Sequence, residues 1–296
     1  MYEIITLNWF WATIIALLGI GVAMALYKIP ANEKIDEFAV GFWVNFGIAL
    51  IAFIFFLATG LIEPLDWPSV ALGSLWGFFF IITTLLQMFA LRKINVSVMF
   101  PITSALSAIL TVFAGIALFN EKISFIHWIA IIGIIVSIFI FKITSKKLDE
   151  MSKIKLSFVG IAVIIATSST IGKVVQKFSA VTVDPENFIL FQYLSAAFFS
   201  LVFGLGYHRN SSFIGQLKSK RVMKTGFMIA FPLFIGGLFI VYALKNGPLS
   251  LVYSVMAGYT LISTLVAVKL FNEKVRIQHI LFLLIVAMFV ALIKIF

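Results

Sequence analysis

Phe119-Asn120-Glu121-Lys122 closes one long apolar run, and Phe271-Asn272-Glu273-Lys274 closes another 152 positions later. Further upstream, Ala90-Leu91-Arg92 recurs as Ala243-Leu244-Lys245 at a spacing of 153, so the two copies differ in length by one residue between the anchors, the second being the shorter, near Gly247-Pro248. Self-similarity at about half the chain length marks the duplication of one folding unit. The character of that unit decides the fold.

Hydrophobic residues make up 62% of the 296 and charged residues only 11%, against about one-quarter charged in soluble domains. Apolar runs of about 20 residues, each long enough to cross a hydrocarbon core as a helix, recur along the chain. The alternating pattern of a membrane barrel is absent. There is no cysteine, which excludes disulfides and thiolate metal sites, and the three histidines, His127, His208 and His279, are far apart in sequence. Neither a metal nor a cofactor is expected. The net charge of +10 suggests nucleic acid, but the basic residues sit mainly in short loops between apolar runs, which is the mark of membrane orientation. No nucleic-acid partner is expected; membrane lipid is.

Ten spans are predicted, at about 9–26, 38–58, 70–91, 96–119, 125–141, 156–175, 188–207, 223–244, 250–271 and 277–296. The first is read as retained rather than as a cleaved leader, because Glu3 and no Lys or Arg precede it. The polar linker 142–155 divides two units, 1–145 and 146–296. Because five is odd, the second unit enters the membrane from the side opposite to the first. The expected fold is therefore an all-α integral membrane protein with ten transmembrane helices as two inverted five-helix repeats. Such repeats recur in secondary transporters, where exchange of the two conformations moves a central site from one face to the other.

With cytoplasmic termini, Lys28, Lys34, Arg92, Lys93 and the basic stretches 142–155 and 209–224 would all lie outside. The positive-inside rule therefore puts both termini outside.

Segments Phe89 to Lys122 and Tyr242 to Lys274, with weaker agreement between Ile20 to Lys28 and Ser169 to Lys177, carry a further signal. Small residues in an apolar helix followed by a glutamate two positions past its end, in both halves of a ten-helix chain, resemble the EamA-like branch of the drug/metabolite transporter superfamily. The resemblance implies a multi-pass protein of the cell membrane and a carrier working by alternating access. Spans one to four and six to nine would surround its cavity, and spans five and ten would brace them. It also implies cytoplasmic termini, against the charge distribution, and a small polar or amphipathic metabolite such as an amino acid as cargo, usually exported.

Glu121 and Glu273 attract attention by recurring, yet Phe-Asn-Glu-Lys also reads as a helix exit, with Asn in the left-handed conformation. No Asp or Glu falls near a span centre, which speaks against the cation/proton antiport of related small multidrug exporters. Lys173, inside span six where the first unit has Met24, is costly in hydrocarbon and can face a wet cavity. Gln87, Gln192, Tyr193, Trp43, Asn45 and Tyr253 join it as candidate substrate-binding residues, since amides within a bilayer must turn toward protein or water. The stripes Ser97, Pro101, Ser104, Ala108, Thr111, Gly115 and Ser250, Ser254, Ala257, Thr264 are expected to bring helices close. Two other functions remain: translocation of a lipid-linked substrate, and an intramembrane enzyme, for which no paired carboxylates, metal set or activated serine are visible.

Overall fold

The computed structural model describes residues 8–33, 35–91, 96–144, 156–207 and 212–271, with 285, 288, 289, 292 and 293 of the C-terminal stretch. Twelve helices follow one another among them: α1 (Trp9–Leu26), α2 (Lys28–Asn32), α3 (Glu37–Thr59), α4 (Trp67–Leu91), α5 (Val96–Phe119), α6 (Phe125–Thr144), α7 (Leu156–Thr182), α8 (Pro185–Tyr207), α9 (Ser212–Leu217), α10 (Lys220–Asn246), α11 (Leu249–Met256) and α12 (Tyr259–Phe271). Six apolar stretches, in α1, α3, α4, α7, α8 and α10, are long enough to cross a membrane; shorter ones lie in α5 and α6. The tenth predicted span lies almost wholly outside the described residues.

Local chemistry sets the helix ends. Asn8 accepts from the Phe10 N–H at the start of α1, Asp36 from Ala39 at α3, Asp66 from Ser69 at α4 and Asp184 from Asn187 at α8, satisfying amides that have no partner inside the helix. Gly60 ends α3 at φ 67°, and Asn120 ends α5 at φ 52°, the left-handed conformation that Asn tolerates.

The long helices close into a ring. Going round it, α1 packs on α10, α10 on α3, α3 on α8, α8 on α4, α4 on α7, α7 on α5, α5 on α11, and the α11–α12 pair back on α1. Every neighbour belongs to the other half of the chain. The pairing maps onto itself when the halves are exchanged, and single residues follow. Gly73 of α4 abuts the Gln192 backbone of α8, and Gly226 of α10, 153 positions later, abuts Trp43 of α3. Gly19 of α1 crosses Gly236 of α10, where an added Cβ would stand 2.8 Å from the Gly236 nitrogen. The matching crossing of α7 on α4 is instead a hydroxyl pair, Thr83 to Ser168 at 3.0 Å. Close approach of small residues holds both, because lipid gives helices no hydrophobic reason to associate.

Contacts between turns fix which ends lie together. Asn187 donates to the Pro64 carbonyl and to Asp66, joining the turn before α4 to the turn before α8. At the other end of α3, Arg221 pairs with Glu33 at 2.8 Å. Outside the ring, α6 packs on α5, and Gly133 receives the Phe289 ring.

Two expectations need correction. Span nine is not one helix: α11 stops at Met256 and α12 begins at Tyr259. Gly258 weakens helix propagation, and its N–H turns back to Val255 at 3.0 Å, one residue short of the α-helical partner. Both Ala257 and Gly258 are buried, so the interrupted backbone is shielded from lipid. Within the basic stretch 209–224, the described residues form α9 at Ser212–Leu217, and α10 starts at Lys220 rather than at 223.

Candidate functional site

Lys173 projects from α7 into the ring. Its ammonium donates to the Ser107 hydroxyl of α5 at 2.7 Å and lies over the Tyr253 ring of α11, 4.9 Å from the centroid. Among the described residues no carboxylate pairs with it. One turn along α7, Gln176 is buried and accepts from the Tyr253 hydroxyl. Three helices thus converge on one polar cluster, and two of its predicted members, Lys173 and Tyr253, are in contact.

Gln192 and Tyr193 lie on α8, on the arc of the ring beyond α4 from α7. The Gln192 side chain is fully buried, and both its amide nitrogen and its oxygen lack a partner. Such groups cost free energy when left alone in a protein interior. Tyr193 reaches across to α10, where a Cβ on Gly237 would fall 2.2 Å from its hydroxyl. Trp76 of α4 lies between the two arcs: it stacks on Phe80 at 4.6 Å, meets Tyr193 edge-on at 5.5 Å, and would stand 4.0 Å from a Cβ added to Gly172, the neighbour of Lys173.

Asn45 of α3 is buried; its amide nitrogen bonds the Gly41 carbonyl at 2.8 Å while its oxygen has no partner. Trp43 lies elsewhere: its indole N–H donates to the Leu217 carbonyl at 2.8 Å, tying α3 to α9 near the ring's rim. Gln87 is half-buried one turn beyond Thr83, toward the end of α4 away from Trp76. Neither is brought to the Lys173 cluster.

The repeated signature has a structural task. Glu121 follows the left-handed Asn120 and turns back, so that its carboxylate accepts from the Leu249 N–H, the Ser250 N–H (3.0 Å) and the Ser250 hydroxyl. It caps α11 of the other half. Just across the Gly247-Pro248 turn, the Lys177 ammonium donates to the Leu244 and Gly247 carbonyls at 2.6 and 3.0 Å. A carboxylate on the positive end of one helix and an ammonium on the negative end of the preceding one brace the α10–α11 turn. Glu273 lies outside the described residues.

The hydroxyl groups of span six mostly bond between helices. Ser168 donates to the Phe79 carbonyl, and Ser169 and Thr170 meet Ser107. On the facing small-residue stripes, Gly115 of α5 lies against Ser250 of α11, the close packing the sequence implies. Sequence reasoning passed over Gln176, Ser107 and Trp76. Gln176 carried a usable signal, an amide three residues after Lys173, and Ser107 lies one turn before Thr111 on α5. Trp76 carried none, because a tryptophan in a span also serves lipid contact.

Helices long and apolar enough to cross a membrane close into a ring drawn alternately from two half-chains, the architecture of a multi-pass membrane protein, and a family match makes it a membrane transporter of the drug/metabolite type. The chain belongs to the EamA-like transporter family: the family model matches residues 7–143 and again 155–295. No curated protein matches the chain. Chains of solved structures do, among them a protein of known crystal structure that superposes with a TM-score of 0.75 over 96% of this chain and 97% of its own, at 15% identity. That likeness is one of fold alone.

Proposed function

We propose that this protein is a secondary transporter of the cell membrane that carries a small polar or amphipathic metabolite, such as an amino acid, by alternating access. In this reading it has ten transmembrane helices as two inverted five-helix repeats, 1–145 and 146–296, and the cargo binds inside the ring. Lys173, Tyr253, Gln192, Tyr193 and Asn45 are its candidate contacts, with Gln176, Ser107 and Trp76 added. Trp43 and Gln87 stand nearer the rim.

The observation that carries the reading is the polar interior of the ring. A lysine with no carboxylate partner among the described residues and a buried glutamine amide with neither end satisfied sit on helices of the ring. A static bundle would gain from filling those positions with apolar residues; a carrier needs them for its cargo. Alternating access has support in where contacts cross the ring: Tyr253 to Gln176, Tyr193 against Gly237, and Lys177 to the end of α10. All of these lie toward the end that holds the N-terminus of α1. Interruption of span nine at Ala257-Gly258, next to this cluster, supplies a joint about which α11 can move.

Uptake of radiolabelled amino acids and related metabolites into proteoliposomes tests the proposal. Saturable flux that is absent from empty vesicles is the expected result. No solute flux, together with scrambling of a labelled polyprenyl lipid, would replace it with the lipid-linked flippase reading.

A further inference from the structure

We propose that Lys173 is the anchor of a monocarboxylate subsite, and that the cargo is an organic acid or zwitterion with an apolar body. The inference deepens the carrier reading and rests on it.

Charge comes first. Lys173 sits inside the ring with its ammonium held by a neutral hydroxyl and an aromatic face, Ser107 and Tyr253. Both are weak substitutes for a counter-ion: they orient the cation and leave it unneutralised. The acids and bases around it have other tasks. On the same helix, Lys177 is committed to the Leu244 and Gly247 carbonyls, and Glu121, from α5, to the start of α11. The Tyr253 hydroxyl donates a hydrogen bond to the Gln176 side-chain oxygen. The repeat-related position in the first half is Met24, so duplication has supplied one cation and not a pair. A single ammonium complements a single negative charge. A phosphate monoester, with close to two charges at neutral pH, would call for a second cation or an arginine fork, and the described interior offers neither.

The second observation is independent of the lysine. Gln192 of α8 has one donor group and one acceptor that are fully buried and without a partner. Trp76, stacked on Phe80, touches Tyr193, the neighbour of Gln192, and stands beside Gly172, the neighbour of Lys173. A ligand with its carboxylate on Lys173 and its apolar body along Trp76 would offer any amine or hydroxyl to Gln192. Sites of this make-up, mostly apolar with a few fixed polar groups, are usual for small molecules.

Four probes separate the possibilities: 3-phenylpropionate and L-phenylalanine, and their amides 3-phenylpropionamide and L-phenylalaninamide. Each is titrated into purified protein in nanodiscs, with binding read by calorimetry, and each is offered to proteoliposomes. The expected result is binding of at least one acid over its amide, weakened roughly ten- to a hundredfold in Lys173→Gln, as for loss of a charged hydrogen bond, and largely retained in Lys173→Arg. If Lys173→Gln does not yield monodisperse protein, Ser107→Ala removes the hydroxyl that holds the ammonium and is expected to weaken the acid but not the amide. Equal binding of acids and amides, unchanged acid binding in Lys173→Gln, or no binding by either acid overturns the subsite. Flux of the amides equal to that of the acids leaves the carrier standing and removes the carboxylate preference. Acid binding lost in Lys173→Gln, with no flux of any probe, keeps the subsite and removes the carrier.

Discussion

Glu121→Ala removes an acceptor that takes three hydrogen bonds at the start of α11, from two backbone amides and one hydroxyl. Loss of an N-terminal cap costs about 0.5–2 kcal/mol. Loss of a charge from the helix end adds about 0.3–1 kcal/mol, and Lys177 loses the attraction of the nearby carboxylate. Together these amount to about 0.8–3 kcal/mol, which in local opening is a factor of roughly 4 to 150. Hydrogen exchange followed by mass spectrometry, on detergent-solubilised protein, should show the peptide covering α11 exchanging faster by that factor. The peptides of α8 should hardly change. A double-mutant cycle with Lys177→Met should give a coupling of about 0.5–1 kcal/mol, because both charges act on one turn. Unchanged exchange at Leu249 and Ser250 in Glu121→Ala would refute the cap, and with it the structural account of the repeated motif. Because α11 carries Tyr253 into the Lys173 cluster, the same variant should also weaken cargo binding without touching a binding residue.

Other perturbations reach different parts of the molecule. Gly77→Leu should disrupt the α4–α8 interface, where even a Cβ would stand 2.8 Å from the Ala196 nitrogen and 2.1 Å from the Ser195 hydroxyl; a loss of about 1–3 kcal/mol or more is expected in thermal unfolding, and an unchanged midpoint would contradict the packing. Burial works against the charged form of Asp66, but hydrogen bonds from Ser69 and Asn187 outweigh it and hold the carboxyl below its ordinary value. A lowered folded value means the stabilisation is present above the unfolded value and is lost as pH falls through the folded one. Acidification below about pH 4 should therefore loosen the α4–α8 turns in the wild type but not in Asp66→Asn, read by exchange at residues 61–70. For orientation, the basic loops predict an active C-terminal alkaline phosphatase fusion; an inactive one paired with a fluorescent C-terminal fusion would place the termini in the cytoplasm.

Much of this was legible from the residues. Phe-Asn-Glu-Lys showed a duplication, and Asn120 does take the left-handed conformation that a helix exit needs. Lys173 and Tyr253 stood out as polar groups in apolar runs, and they meet. Trp43 carried the same signal but ties α3 to α9, because an indole N–H serves any nearby carbonyl and sequence does not say which. The interruption of span nine was hidden by its composition: Ala257-Gly258 sits in an apolar stretch as hydrophobic as its flanks, and one glycine does not oblige a helix to break.

By itself the sequence determined the class of the molecule. Hydrophobic run length, charge in the loops and a repeat of five runs are properties of consecutive residues, and the bilayer converts them directly into spans because unpaired backbone cannot face lipid. Only the tertiary structure decided which spans are neighbours. In the ring each helix touches the other half of the chain, so Lys173 meets Ser107 and Tyr253 across separations of 66 and 80 positions, and Glu121 caps a helix that begins 128 positions later. No periodicity records such pairings, since they depend on how small residues let particular helices approach. Glu121, conspicuous in sequence because it recurs, proved to hold a turn, and the polar contacts across the ring gathered at the unrepeated lysine.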